Sequence, residues 1–358
     1  MAILGIETVV YCVDDIAKSA DFFDDFGLRR YEETGASLRF RLPDHSNVIV
    51  RSAKSDSVVG SQIEGIGVHE VIWGVDSEID LERLVKRVAT DRKVRRDGDG
   101  SAHFIADGGL AMGLRVWRDF RAIRTSVDPI NSPGNTNRLN THRKWIARAY
   151  PKRMMHVVYL VPVVERCANF MIERLDFRLS DRQRGMGMYL RCDGATDHHN
   201  IFFFDSNCQM SGGANGATRF HHVNFVVTDL DEVMVGKNYL ERRGWARSIW
   251  GLGRHRIGSA LFYYIPCPAG GEAEYGADGD QLDDNWVPRD WDALFGFAHW
   301  THDMPEFFRD GHDWSVGFVE GIAPQRGEVT MRDYNRPAGK EAQAARPLRS
   351  VEPADRSG

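Results

Sequence analysis

The chain has 358 residues, 42% hydrophobic and 27% charged, with a formal net charge of -5. That length exceeds one small core and fits two compact domains of ordinary globular composition. The mildly acidic balance gives no electrostatic footing for a nucleic acid or an anionic membrane as partner.

The first thirty residues carry Glu7, Asp14, Asp15 and Lys18 and no long apolar run, so neither a signal peptide nor a membrane span is expected. The cysteines Cys12, Cys167, Cys192, Cys208 and Cys267 are scattered, with no CxxC pair. That pattern predicts reduced thiols and a cytoplasmic protein. From Thr8 a short apolar run predicts a strand. A helix follows, with Ile16, Ala20 and Phe23 at i, i+4 and i+7. The same pattern returns at His156, where Val164, Ala168, Phe170 and Met171 match Ile16, Ala20, Phe22 and Phe23. Strand-like runs follow both helices, at 37–42 and 47–50 and again at 186–191 and 200–204. Two further segments start alike at Val68 and Phe220, each leading to an acidic turn (Asp76, Asp229) and a helical stretch. The count is four βαβββ modules, at roughly 1–55, 66–118, 153–206 and 218–280.

A single module leaves an apolar strand face uncovered, so modules pair to bury it. The expected fold is α+β, four βαβββ modules paired into two open barrels. Residues 1–118 form the N-terminal domain, 119–152 a connecting segment with Pro129, Pro133 and Gly134, and 153–322 the C-terminal metal-binding domain. Residues 323–358, poor in apolar side chains, read as an extended or disordered tail. The aromatic run Trp286, Trp291, Phe295, Phe297, Trp300, Phe307 and Phe308 reads as cover for a barrel edge or a subunit interface, and a homo-oligomer is expected.

His156, His222 and Glu274 each sit in a short, strand-like setting. Two imidazoles and one carboxylate hold a divalent metal on one side and leave the other side open. This choice suits non-haem Fe(II) that binds substrate and dioxygen together, with Mn(II) as an alternative. Laying the first half on the second puts Thr8, Glu70 and Met112 opposite the three, a poor set for such a metal. His221 is expected on the opposite face of its strand from His222, and His198 as support or rim beside His199. Tyr263 exchanges places with Tyr264 if the register slips by one.

Over about residues 1–280 the chain resembles the two-domain extradiol ring-cleavage dioxygenases of the vicinal oxygen chelate superfamily. The resemblance lies in Gly253-Arg254-His255, Tyr264, Pro268-Ala269-Gly270 and Glu274-Tyr275-Gly276, with Ala269 where the family usually has Ser. It continues in Asp197-His198-His199, which is similar to the segment carrying the family's active-site histidine. The sequence departs from the biphenyl-diol subgroup at Arg256-Ile257-Gly258. The resemblance implies iron ligation by His156, His222 and Glu274. It implies an acid–base role for His199, and contact of His255 and Tyr264 with the hydroxyls of a catecholic substrate. The implied reaction is extradiol cleavage of that substrate by dioxygen, in aromatic catabolism. Its rivals are a 4-hydroxyphenylpyruvate-type dioxygenase, which shares the metal set, and a non-catalytic small-molecule-binding member of the superfamily.

Overall fold

Apolar spacing decides the first helix. Ala20, Phe22, Phe23 and Phe26 lie on the buried face of α1 (Ile16–Phe26), Asp15 caps it by accepting from the Lys18 N–H, and Gly27 ends it in a left-handed turn. The computed structural model describes residues 2–34, 37–54, 60–305 and 316–319. The tail 323–358 lies outside them, as do Phe307 and Phe308.

The first module runs β1 (Ile3–Val13), α1, β2 (Arg29–Thr34), β3 (Ser37–Arg41) and β4 (Asn47–Ser52). The second runs β5 (Gly67–Val75), α2 (Glu78–Val88), β6 (Arg95–Arg96), β7 (Ala102–Ile105) and β8 (Ala111–Val116). The third has β9 (Arg153–Val161), α3 (Val164–Leu175), β10 (Arg178–Gln183), β11 (Gly187–Arg191) and β12 (Ile201–Asp205). The fourth has β13 (Arg219–Val226), α4 (Leu230–Arg242), β14 (Gly253–Arg254), β15 (Leu261–Pro266) and β16 (Glu272–Ala277). Antiparallel pairing of β1 with β5, and of β9 with β13, joins the modules in twos. The expected α+β arrangement of four paired βαβββ modules is therefore borne out.

The sheets run β2-β3-β4-β1-β5-β8-β7-β6 and β18-β14-β15-β16-β13-β9-β12-β11-β10-β17-β19, where β17 is Arg289–Trp291, β18 Trp300–Thr301 and β19 Val316–Phe318. β17 and β18 thus cap opposite edges of the module strands, and the short helix α5 (Ala293–Phe297) lies between them in sequence. Residues 289–301 form a strap from one edge to the other. Of the aromatic run, Trp291 and Trp300 lie in the strands added at the two ends, and Phe297 also lines the cavity described below.

One apolar core runs through both halves. Phe26 stacks on Tyr275 with ring centroids 4.2 Å apart, and the Tyr275 hydroxyl donates to the Phe26 carbonyl at 2.7 Å. Tyr159 reaches the other way, donating to the Val68 carbonyl at 3.1 Å. Between Val116 and Arg153 there is no helix or strand, only an isolated bridge from Ser132 to Asn135. No helix among the described residues is long and apolar enough to cross a membrane.

Candidate metal centre

Three strands bring three donors together. His156 comes from β9, His222 from its antiparallel neighbour β13, and Glu274 from β16, which pairs in parallel with β13 on the other side. Gly271 opens the way into β16 with φ +54°, and a Cβ there would lie 2.2 Å from the His221 carbonyl oxygen, so only glycine fits. His156 Nε2 stands 3.1 Å from His222 Nε2, and these two stand 3.2 and 3.3 Å from Glu274 Oε2. A cation with bonds of about 2.1 Å has neighbouring donors roughly 3.0 Å apart. The observed triangle matches that edge length.

Glu274 is 0% exposed, and neither of its oxygens receives a hydrogen bond. Burial raises its carboxyl, but the two imidazoles outweigh burial and hold it well below the usual carboxylate range. His156 is pushed down by burial, against the pull of Glu274. An ionised, unbonded carboxylate facing two imidazole nitrogens in an apolar interior is costly unless a cation joins them. Among the described residues these three form a set able to hold a metal ion.

The remaining predicted residues converge on the same cavity, of about 260 Å³. His199 stacks on His156, with centroids 4.1 Å apart and planes at 24°. Burial and the surrounding imidazoles, His156 foremost, keep its pKa well below the ordinary histidine value. His255 donates from Nδ1 to the Phe297 carbonyl at 2.7 Å, which leaves Nε2 to accept from the Tyr264 hydroxyl at 3.0 Å. Burial pushes His255 down to about 4 and raises the Tyr264 phenol. The register pairs Tyr264 with Glu274 and sends Tyr263 to the other face, towards Ser248 and Glu241.

Two expectations need correction. His221 does not face away from the site. The β9–β13 register shifts between Phe220 and His222, and this irregularity turns His221 into the cavity wall, with Nδ1 2.7 Å from His222 Nδ1. Met112 is not the counterpart of Glu274. Since β5 pairs Glu70 with Ala111 as β13 pairs His222 with Glu272, the matching position is Gly113, while Met112 lies in the core. In the first half Glu70 instead meets His103 Nδ1 at 2.6 Å. Of the two positions expected for His198, support or rim, it takes the first. It is buried, between Asp181 and His199.

Sequence reasoning passed over Asp181, a polar residue in the polar strand β10, where no local signal marks it as buried. It also passed over Tyr189, which stacks on Phe202 and meets His199 edge-on. Its alternation in β11 with Leu190 was the available clue.

No family model matches the sequence. A stretch of 168 residues is 32% identical to metapyrocatechase 2 of Cupriavidus necator, covering 46% of this chain and 49% of that protein. The match thus spans about half of each. Among solved structures, the Mn(II)-bound glyoxalase from Novosphingobium aromaticivorans superposes with a TM-score of 0.67 at 22% identity, covering 87% of this chain and 96% of the other. The halotolerant catechol dioxygenase BphC gives 0.65 at 18% identity, over 84% and 94%. The 2,3-dioxygenase LapB from Pseudomonas sp. KL28 gives 0.63 at 19%, over 82% and 98%. The chain therefore has the glyoxalase-like vicinal oxygen chelate fold and resembles the extradiol dioxygenases built on it.

Proposed function

We propose that the protein is an extradiol dioxygenase that opens a catecholic ring beside its hydroxyls, at Fe(II) held by His156, His222 and Glu274 in the C-terminal half. One observation carries the reading: His199, His255 and Tyr264 line the same cavity as the imidazoles that converge on Glu274. A metal-only reading, such as an arylpyruvate dioxygenase, has no use for those three. When bound, the ferrous ion supplies open positions and electron density that let a catechol and dioxygen react. His199, held neutral over the ring of His156, is placed to take a proton from a catechol hydroxyl, work for which a positioned histidine is suited. Tyr264 spends its own proton on His255 Nε2, so its oxygen lone pairs are left to accept from substrate. Mn(II) suits the same donors, and metal analysis decides between the two ions.

The cavity wall supports a substrate class. Val158, Met186, Phe202, Phe204, Ile249 and Trp250 line it, and no Lys or Arg does among the described residues. A catechol with an alkyl or aryl substituent fits that wall, whereas one with a carboxylate meets Glu272 and, among the described residues, no Lys or Arg. Cys12, Cys167, Cys192 and Cys267 are buried and unpaired, which supports a cytoplasmic setting. Trp145, Leu139 and Ile130 of the connecting segment are exposed, which supports self-association, and sedimentation should show a species larger than one chain.

The test is anaerobic loading with ferrous iron, then exposure to oxygen with alkyl-, aryl- and carboxyl-substituted catechols and with arylpyruvates. Yellow ring-fission product and oxygen uptake with the apolar catechols are expected. A fully loaded protein that leaves every catechol intact, or consumes oxygen only with arylpyruvates, overturns the proposal.

A further inference from the structure

Behind His199 lies a buried chain of hydrogen bonds whose direction is fixed at its far end. Asp181 on β10 is buried, and its Oδ1 accepts from the Arg289 backbone N–H of β17 at 2.6 Å. Its Oδ2 stands 3.0 Å from His198 Nε2. An ionised carboxylate only accepts, so His198 Nε2 carries the hydrogen. His198 Nδ1, the other nitrogen, stands 3.1 Å from His199 Nδ1. In a neutral His198 that atom offers a lone pair, so the proton between the rings belongs to His199 Nδ1. His199 Nε2 is then bare.

The rings have little freedom to turn. Tyr189 and Trp286 meet His198 edge-on, and a Cβ at Gly258 would lie 3.0 Å from His198 Cγ. We propose that Asp181 and His198 are positioning residues that set the tautomer of His199, so that Nε2 is the nitrogen with a free lone pair. The catalytic importance of that nitrogen rests on the proposed function, in which His199 accepts the proton leaving a catechol hydroxyl oxygen. The direction of the chain does not. It follows from the carboxylate together with a neutral His198, as in other carboxylate–imidazole pairs where the acid selects the tautomer.

The test reads protons directly. Protein with ¹⁵N-labelled histidine and Zn(II), a diamagnetic ion the donors accept, gives imidazole nitrogen shifts that separate the tautomers. His198→Gln and His199→Gln assign the signals. The wild-type protein should show hydrogen on His199 Nδ1 and on His198 Nε2. In Asp181→Asn the carboxamide oxygen stays on the Arg289 N–H and its NH₂ turns to His198 Nε2. Both rings should reverse, leaving the proton on His199 Nε2.

With iron and the best catechol, Asp181→Asn should lose about 10²-fold or more in kcat, the range of a misplaced acid–base group. Iron content should hold and KM should move by less than about threefold, because only ground-state geometry enters binding. Asp181→Glu should recover part of the loss.

A wild-type spectrum with hydrogen on His199 Nε2, or an imidazolium at His198, overturns the proposal without any variant. So does an Asp181→Asn protein that keeps its tautomers, or whose loss tracks its iron content. The assigned tautomers in a wild-type protein that cleaves no catechol would sink the proposed function and leave the hydrogen-bond chain standing.

Discussion

Tyr264→Phe removes one hydroxyl and leaves the ring in place. Tyr264 is buried, and its O–H is the donor that reaches His255 Nε2, at 3.0 Å, while His255 Nδ1 is committed to the Phe297 carbonyl. The variant strands a buried acceptor, which costs about 1–3 kcal/mol. At roughly 2–4 °C per kcal/mol for a domain of this size, melting should fall by about 2–12 °C. Tyr263→Phe is the control, since its hydroxyl lies 3.4 Å from both the Ser248 N–H and Glu241 Oε1 and points away from the cavity. It should lose less than about 1 kcal/mol, the low end for one weak bond, and keep full ring cleavage. A cycle of Tyr264→Phe, His255→Leu and the double variant, read by thermal melts, should show a coupling of about 0.5–3 kcal/mol. Additivity within about 0.5 kcal/mol, or a Tyr263→Phe more damaging than Tyr264→Phe, would refute the bond and the assignment of faces.

Glu274→Gln and His222→Ala should each fold yet hold far less than one ferrous ion per chain, measured by metal analysis after desalting. Asp44 is buried, and burial raises its carboxyl to about 6, against the bonds from Ser46. Its folded pKa therefore lies above the unfolded one, so the stability it contributes is full below about pH 4 and is lost as pH rises through about 6. The loss is about 3 kcal/mol; Asp44→Asn should show none of it in urea melts between pH 4 and 7. Phe26→Ala removes the ring stacked on Tyr275 across the two halves, and should destabilise by about 3–5 kcal/mol in the same melts.

Much of this was legible in the chain itself, for definite reasons. The strands that begin each module are apolar on both faces, and α1 and α3 carry apolar residues at helical spacing, so the repeat stood out. His156, His222 and Glu274 lie on those central strands and were found with it. The edge strands β2 and β6 were not found, because every side chain in them is exposed and all but Tyr31 are polar, so no period survives. Register cannot be counted across the bulge that turns His221 towards the cavity, and connections of unequal length within the modules put Gly113 rather than Met112 opposite Glu274. Asp181 acquires its role from contact with residue 289, and Phe297 from contact with His255, each distant in sequence. Such contacts leave no local trace.

The strap of residues 289–301 has one more consequence. The third and fourth modules supply His156, His222 and Glu274, but the strap carries Phe297 and the carbonyl that orients His255, and its β17 backbone holds Asp181. On the proposed function, part of the substrate wall and part of the support for the reacting groups therefore lie outside the four modules. Changes near residue 297 can redraw what the protein accepts while the three metal donors stay as they are.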